Sequence, residues 1–318
     1  GALFCLRGTL SIGQLSSLLA YATQYAKPFN DITSVITEIQ NALAAASRVF
    51  DFLEEEEMQP KAEERELPKP VEGYLELSGL YFSYTKEQKL IQDLSLSVQA
   101  GQNIAIVGPT GCGKTTLINL LMRFYEPNQG GISIDGISYE KLSDHGLRSA
   151  YGMVLQDSWL KSDTVLENIR YGSPEKSIEE VIEAAKRAGC HHFIMQLPKG
   201  YDTLLPEDGG NLSQGQKQLL CIARVMLRDP AILILDEATS SIDTRTEEKV
   251  QKAFQEMLKG RTAFIVAHRL STIQNADCIL VMKDGNVIEK GSHEELLQQK
   301  GFYKNLYESQ FQGAESEA

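Results

Sequence analysis

One short segment constrains the fold of this chain more than any other. The segment reads Gly108-Pro-Thr-Gly-Cys-Gly-Lys114-Thr115 and stands between the apolar run 104–107 and the helical pattern 116–122. A strand, a glycine-rich loop and a helix in this order fit the G-x-x-x-x-G-K-[ST] pattern of phosphate-binding loops. The glycines allow backbone N–H groups to turn inward, and the helix N-terminus adds positive potential. The segment therefore predicts an α/β fold in which a buried strand leads into a phosphate-binding loop.

The residues of this loop have predicted roles toward ATP. Lys114 is expected to reach the β- and γ-phosphates, and the Thr115 hydroxyl is expected to ligate Mg²⁺. Backbone N–H groups of the loop are expected to surround the phosphates. The predicted nucleotide-binding residues in this segment are Gly108, Pro109, Thr110, Gly111, Cys112, Gly113, Lys114, Thr115 and Thr116.

Short apolar runs predict the strands of the core. They are continuous and rich in branched residues, which is typical of strands buried on both faces, so we expect a parallel sheet covered by helices. Residues 74–98 alternate apolar and polar instead, which predicts short antiparallel strands. The long stretch 138–226 carries helical patterns and predicts an inserted, mostly helical subdomain. The continuous runs are 104–107, 231–235, 263–267 and 279–282.

Polar residues that can carry chemistry follow two of these runs. Asp236 and Glu237 form an acidic pair at the end of the second run. Acids buried there destabilise a fold unless they meet a cation or a reacting water. Asp236 is therefore predicted to hold the Mg²⁺ shell, and Glu237 to act as the general base on the attacking water. His268 follows the third run, where ligands of open parallel sheets bind, and is predicted to donate a hydrogen bond to the γ-phosphate.

A helical seam lies near the start of the chain, ahead of an acidic, proline-containing linker at 54–73. Apolar residues recur at alternating spacings of three and four, which predicts an amphipathic helix. The helix could pack on its own domain or against partner helices, and the linker favours partner helices. Neither 1–6 nor 10–26 is apolar enough to be expected to cross a membrane as an isolated helix. The seam residues are Phe29, Ile32, Ile36, Ile39, Leu43, Ala46, Phe50 and Leu53.

The charge balance argues against a surface that wraps nucleic acid. The formal net charge is -12, and no block of Lys and Arg is present to neutralise phosphates. We therefore expect no nucleic-acid partner.

The order of these motifs resembles that of the ABC ATPases over residues 74–308. The most specific motif is Leu212-Ser213-Gln214-Gly215-Gln216, which is similar to the ABC signature. Gln214 stands where the family most often has Gly, but Ser213 and Gly215 remain, so the site that this signature completes is expected to stay competent. The resemblance implies a P-loop NTPase core with a parallel sheet, an antiparallel β subdomain, an inserted α-helical signature subdomain and a long N-terminal helix. The matching motifs are Tyr84, the loop 108–115, Gln156, the signature, Asp236-Glu237, the segment 240–243 and His268.

The resemblance also implies how the site works. Tyr84 is expected to stack on adenine, and Gln156 to sense Mg²⁺ and water while contacting the transport machinery. Two ATP molecules are expected to lie between head-to-tail domains, so that the signature acts in trans, Asp243 lies across the dimer interface and a monomer is nearly inactive. The expected catalytic residues are Glu237, His268, Gln156 and Lys114. The expected metal ligands are Thr115, Gln156 and Asp236. Further expected nucleotide contacts are Tyr84, Gln156, Ser213, Gly215, Gln216, Asp243 and His268.

Features outside the ATPase motifs resemble ABC exporters. Residues 10–29 and 44–50 look like the last membrane helix of an exporter and its cytoplasmic extension, and the chain lacks an initiator Met, so we expect a longer protein. Residues 211–216, 236–243 and 301–307 resemble bacterial multidrug half-transporters, many of which pair two different chains. The resemblance implies a partner half-transporter, different from this chain rather than a copy, together with its own and the partner's transmembrane domains. It also implies a location at the plasma (inner) membrane, with the ATPase domain on the cytoplasmic side.

The expected domains and function follow from this resemblance. The domains are 1–53, the end of the last transmembrane helix with its extension; 54–73, the linker; 74–308, the ATPase; and 309–318, a tail. The expected function is to power the efflux of drug-like or lipid substrates by ATP hydrolysis. One alternative is a soluble ABC ATPase that clamps nucleic acid or the ribosome, and another is a nucleotide-binding regulator without turnover, which the intact Glu237 disfavours.

Overall fold

The chain divides into two compact units, Gly1–Pro60 and Lys61–Ala318. The computed structural model describes residues 1–55, 65–85, 90–155, 158–236, 244–267 and 270–315. The first unit contains helix α1, Ala2–Leu6, and helix α2, Ile12–Leu53.

Helix α2 is long, and its own sequence determines where it starts. The Ser11 hydroxyl accepts the N–H of Gln14 at 3.2 Å, and the Gln14 side chain accepts the N–H of Ser11 at 3.0 Å. This reciprocal cap satisfies two N–H groups at the helix N-terminus. The helix continues through Pro28 and includes the whole predicted seam, and none of its described side chains is buried. Within the described residues, the structure has no helix with the length and apolar character needed to cross a membrane.

The second unit contains ten strands and ten α-helices among its described residues. The strands are β1, Leu75–Phe82; β2, Ile91–Val98; β3, Asn103–Val107; β4, Gln129–Ile134; β5, Ile137–Ser138; β6, Tyr151–Val154; β7, Ile232–Asp236; β8, Thr262–Val266; β9, Cys278–Lys283; and β10, Asn286–Gly291. The helices are α3, Lys114–Leu121; α4, Asp144–Ser149; α5, Val165–Arg170; α6, Ile178–Arg187; α7, His191–Met195; α8, Gln214–Arg228; α9, Thr244–Leu258; α10, Leu270–Gln274; α11, His293–Gln299; and α12, Phe302–Glu315.

Six strands form the central sheet, in the order β10-β9-β3-β8-β7-β6. The strands from β9 to β6 are parallel, and β10 pairs antiparallel with β9 at one edge. The four continuous apolar runs are β3, β7, β8 and β9, so the predicted parallel sheet is confirmed.

Both faces of the central sheet are buried, which explains why its strands are continuously apolar. Ile232 and Ile234 of β7 pack in the cluster that holds α3 and the antiparallel strands, whereas Leu233 and Leu235 pack among the helices of the opposite face. Successive side chains of a strand point to opposite faces, so a strand covered on both sides has no polar position.

The other sheet has four strands in the order β2-β1-β4-β5, and all its pairings are antiparallel. In β1, Leu75, Leu77, Leu80 and Phe82 are buried and the residues between them are more exposed. The antiparallel strands predicted from this alternation are confirmed.

The segment just before β1 is packed within the second unit. Leu67 is buried in the same cluster as the antiparallel strands. The Asp135 carboxylate accepts the backbone N–H groups of Glu72, Gly73 and Tyr74 at 2.9, 3.0 and 2.9 Å. Residues 65–73 are therefore held against the antiparallel sheet in this structure.

The predicted helical insertion at 138–226 needs one correction. Helices α4 to α8 lie in this stretch, but Tyr151–Val154 forms β6, which pairs in parallel with β7. The segment is too short to show a period, and Gly152 interrupts its apolar run. Its strand conformation depends on β7, which lies far along the chain, so the local pattern did not predict it.

Candidate functional site

The glycine-rich loop between β3 and α3 depends on glycine at defined positions. Gly108, Gly111 and Gly113 have φ angles of 154°, 80° and 102°, a region that other residues rarely adopt. A Cβ atom at Gly108 would collide with the carbonyl oxygen of Met282, whereas a Cβ at Gly111 would meet no atom within 4 Å. The loop therefore approaches the neighbouring strand closely on one side and opens into free space on the other.

Lys114 lies across this loop. Its ammonium group donates to the carbonyl oxygens of Gly108 at 2.8 Å and Pro109 at 3.0 Å. Cys112 is buried beneath, and its carbonyl accepts the N–H of Gly285 at 3.0 Å. The positive charge is thus held over the loop by the loop's own backbone.

The N-terminus of α3 has the features of an anion site. Its N-cap is Gly113, and no side chain caps it, whereas Ser or Thr side chains cap α2, α4, α5, α6, α8 and α11. The first N–H groups of a helix lack intrahelical partners and carry positive potential. Thr115, in the first turn, is exposed. These N–H groups and the ammonium of Lys114 fit a phosphate chain.

Asp236 lies at the same edge of the central sheet as this loop. It pairs in register with Val266 of β8, and Val266 pairs with Ile106 of β3, just before the loop. The carboxylate is half-buried. Carboxylate and hydroxyl oxygens are hard ligands, so Asp236 and Thr115 fit Mg²⁺ in their chemistry. The structure brings the predicted phosphate loop and Asp236 to one edge.

Tyr84 is anchored beside α3. Its hydroxyl donates to the Thr116 hydroxyl at 3.3 Å and accepts from the Asn119 amide at 3.4 Å. Its ring contacts Phe82 and Tyr125 edge-on, with centroid distances of 4.9 Å in both cases. The side chain is still 44% exposed, so part of it is accessible to a ligand.

The signature residues begin helix α8. The Ser213 hydroxyl accepts the N–H of Gln216 at 3.3 Å, and the Gln216 side chain accepts the N–H of Ser213 at 2.9 Å. Ser213 and Gln214 are exposed, whereas Gly215 is buried. The helix N-terminus is therefore presented at the surface with its first turn fixed by its own cap.

Four predicted site residues lie outside the described residues. They are Gln156, Glu237, Asp243 and His268. Their roles remain predictions.

Residues that the motifs did not indicate also lie at the site. Asn119 and Tyr125 contact Tyr84, and a cavity of about 120 Å³ separates the loop from Tyr303, Leu306 and Tyr307 of α12. The sequence could have indicated Asn119, because residues three apart on a helix are neighbours and Asn119 lies three positions after Thr116 on α3. The approach of α12 had no local signal in the sequence.

The fold and the loop together define a nucleotide-binding α/β domain. Residues 91–240 match the family model of the ABC transporter domain. The matched domain belongs to the ABC transporter family, whose ATP-binding domains hydrolyse ATP to drive transport.

Several proteins are similar to nearly the whole chain. The chain is 51% identical to the ABC transporter ATP-binding protein YfiC of Bacillus subtilis, over 98% of this chain and 52% of that protein. It is 47% identical to a fatty acid ABC transporter ATP-binding/permease protein of Mycobacterium tuberculosis, over 96% of this chain and 48% of the relative. An ATP-dependent lipid A-core flippase of Saccharophagus degradans is 44% identical over 92% of this chain and 49% of the flippase.

A solved structure supports the same family. A bacterial Atm1-family ABC exporter with ATP bound is similar with a TM-score of 0.76 and 38% identity, over 95% of this chain and 53% of the exporter chain. The chain spans about half the length of the curated relatives it matches.

Proposed function

We propose that this chain is the ATP-hydrolysing motor of an ABC exporter. The observation that carries the proposal is the convergence, at one edge of the central sheet, of Asp236 and the loop with its uncapped helix α3. The relatives reported above support the transport role, since they are named as transporters and flippases. A clamp on nucleic acid or the ribosome gains no support from them.

The described residues have separate roles in binding ATP. Lys114 exchanges the carbonyls of its own loop for the β- and γ-phosphate oxygens, and the N–H groups of the loop and α3 bind the remaining oxygens. Thr115 and Asp236 would hold Mg²⁺, with Gln156 as a further ligand, and the ion neutralises charge on the phosphates when bound. Tyr84 stacks on adenine.

Glu237 removes the proton of the attacking water, and His268 donates a hydrogen bond to the γ-phosphate. Glu237 directly follows Asp236, the last residue of β7, so the base and the ion ligand are consecutive in the chain.

The site needs a second protomer. Ser213, Gly215 and Gln216 contact the ATP held by the partner's loop, and Asp243 lies across the interface. The exposed, capped N-terminus of α8 supports this role, because it is available at the surface to a phosphate bound elsewhere.

The partner in this proposal is a second half-transporter, different from this chain. ATP binding closes the two ATPase domains, the closure moves the transmembrane domains of both subunits, and hydrolysis reopens them. The cargo is drug-like or lipid, and the ATPase domain lies on the cytoplasmic side of the plasma (inner) membrane. The fatty acid and lipid A-core cargoes named for two relatives support the lipid class.

Glu237→Gln tests the proposal. The change keeps the size of the side chain and removes its basicity, so ATP should still bind and trap a closed dimer while turnover falls by roughly 10²- to 10⁴-fold. ATP hydrolysis by the assembled transporter measures turnover, and the ATP that stays bound after gel filtration measures the trapped closed state. Glu248→Gln, the same change at an exposed position on α9, is the matched control and should leave both unaltered. Native turnover in the Glu237→Gln variant would show that another group is the base.

A further inference from the structure

The turn between β9 and β10 contacts the glycine-rich loop. Lys283 and Asn286 are paired, so Asp284 and Gly285 form a two-residue turn. Their φ angles are 48° and 82°, and positive φ at both positions is typical of the type I′ turns of hairpins. The N–H of Gly285 donates to the carbonyl oxygen of Cys112 at 3.0 Å. The loop is therefore held from outside by a residue that lies in none of the predicted motifs.

This hydrogen bond orients one peptide unit of the loop. The peptide between Cys112 and Gly113 is trans, and the C=O and N–H of a planar trans peptide point in opposite directions. Since the carbonyl faces the turn, the N–H of Gly113 is directed away from the turn. Gly113 is the N-cap of α3, so this N–H lies at the end of the helix where phosphate is proposed to bind. A bond at one end of a peptide also polarises the other end, which makes the N–H a stronger donor.

The turn is enclosed between the loop and strand β2. A Cβ atom at Gly285 would collide with the backbone carbonyl of Leu90, just before β2. The Oδ1 atom of Asn286 accepts the N–H of Gln92, in β2, at 3.1 Å. On the other side, a Cβ at Gly113 would lie 3.4 Å from the Cα of Gly285. A side chain at position 285 therefore fits only if the backbone of the turn or of its neighbours shifts.

We propose that Gly285 is a positioning residue for ATP. Its N–H holds the Cys112 carbonyl and thereby aims the N–H of Gly113 at the phosphates, while Gly285 itself does not touch the nucleotide. The inference rests on the phosphate-binding role proposed for the loop. Because Gly285 acts through the loop alone, its influence is confined to the phosphate part of ATP and does not extend to adenosine.

The turn between β4 and β5 provides a matched control. It is also a two-residue Asp-Gly turn, with φ angles of 49° at Asp135 and 77° at Gly136. A Cβ atom at Gly136 would meet no atom within 4 Å. Alanine at Gly136 or at Gly285 therefore carries the same backbone strain, but only alanine at Gly285 disturbs a contact with the loop.

Two fragments of ATP test the proposal. The 318-residue chain, kept in a mild detergent because apolar side chains of α2 are exposed, is titrated with inorganic tripolyphosphate and separately with adenosine. Gly285→Ala should weaken tripolyphosphate and ATP about tenfold and leave adenosine within about twofold, since a hydrogen bond to a charged group is lost. Gly136→Ala should change none of these affinities. Circular dichroism establishes that each variant is folded at the temperature of the titration.

The outcomes separate this inference from the proposed function. Unaltered tripolyphosphate affinity in a folded Gly285→Ala chain, an equal loss for adenosine, or an equal loss in Gly136→Ala would overturn the role of Gly285 alone. A native chain that binds neither ATP nor tripolyphosphate would overturn the phosphate-binding role of the loop and this inference with it.

A measurement on the native chain decides the question if Gly285→Ala does not fold. When the Gly285 N–H leaves the Cys112 carbonyl, the peptide is no longer held for phosphate, so bound phosphate should suppress this opening. At about ten times its Kd, tripolyphosphate should slow hydrogen exchange of the Gly285 amide about tenfold and leave the Gly136 amide unchanged. Nuclear magnetic resonance of chain labelled with ¹⁵N-glycine measures both amides. An unchanged exchange rate at Gly285 would overturn the proposal.

Discussion

Tyr84 illustrates how the site is assembled from single residues. Its hydroxyl lies between Thr116 and Asn119, and its ring is held by Phe82 and Tyr125. A side chain that is fixed before its ligand arrives loses less conformational entropy on binding. In our proposal Asn119 is therefore a positioning residue for adenine, acting through Tyr84.

Asn119→Leu should weaken ATP binding without slowing the chemistry. Loss of the hydrogen bond to Tyr84 costs about 1 kcal/mol, so the KM for ATP should rise about fivefold at unchanged kcat. Steady-state kinetics of the assembled transporter measure both constants. Tyr84→Phe should raise the KM at least as much, because it also removes the bond to Thr116, and adding Asn119→Leu to it should cost nothing further, because the bond from Asn119 is already lost. Additive losses would contradict this role.

For single residues, the sequence predicted those of the motifs but not the residues that contact them. The loop glycines were predictable because the motif places them, and their positive φ angles agree with it. Asn119 and Tyr84 are 35 positions apart, and only the packing of α3 beside the antiparallel sheet brings them together. No local pattern encodes such a contact.

Ser213, the residue just before helix α8, has two roles. Ser213 caps the helix, and in our proposal it also faces the partner's ATP. A capping side chain can be exchanged for another of the same kind, whereas a phosphate contact depends on size. The two uses can therefore be separated.

Ser213→Asn should keep the helix and impair the site. Asn caps helices as well as Ser does, so stability should change by less than about 0.5 kcal/mol. The added bulk should lower ATP hydrolysis by the assembled transporter about tenfold or more. Thermal unfolding and ATPase rates measure the two effects. The matched control is Ser177→Asn at α6, where Ser177 and Glu180 form the same type of cap. A native ATPase rate in the Ser213→Asn variant would refute the contact in trans.

Helix α12 is docked beside the loop by a few strong contacts. Tyr303 is buried, and its hydroxyl lies 2.7 Å from Nδ1 of His293. Burial raises the pKa of Tyr303, so the hydroxyl stays protonated at neutral pH. The Glu289 carboxylate accepts the N–H groups of Phe302 and Tyr303 at 2.5 and 2.9 Å. The start of α12 is thereby fixed, and its next turn lines the cavity beside the loop.

Substitutions at Tyr303 should weaken the docking of α12 to different degrees. Tyr303→Phe loses one hydrogen bond and should cost about 1 kcal/mol of unfolding free energy with little effect on ATP. Tyr303→Ala should cost more than about 3 kcal/mol and also raise the KM for ATP, because the cavity beside the loop loses a wall. Denaturant unfolding and kinetics check both. Lys304→Ala, which affects only a partly exposed ion pair with Glu308, should cost less than about 0.5 kcal/mol. Equal costs for the two Tyr303 variants would contradict the docking.

The elements that the sequence predicted well are those with a strong local pattern. Strands β3, β7, β8 and β9 are continuous apolar runs because both their faces are covered. Strand β6 was missed because four residues, one of them Gly152, show no period, and its pairing with β7 bridges the helical insertion. The cap of α12 was equally hidden, since Glu289 lies on β10, outside the helix that it caps.

For the whole molecule, the proposed site requires more than one chain. In our proposal the partner is a different half-transporter, since this chain keeps both the acidic pair and His268. Full-length protein purified from membranes should therefore give two chain masses in equal amounts by intact-mass analysis. A single mass would show instead that two copies of this chain form the transporter.

The contacts that helix α3 makes determine how the nucleotide can be released in this assembly. Its first residues, Lys114 and Thr115, lie at the phosphate loop, and Thr116 and Asn119, one and four positions after Thr115, hold Tyr84. All four are on one short helix, so the separation between the base and phosphate contacts has the rigidity of a single helical rod. If ATP spans these contacts, a shift of α3 moves both ends of the nucleotide together, and release of ATP or its product by such a shift is concerted rather than stepwise.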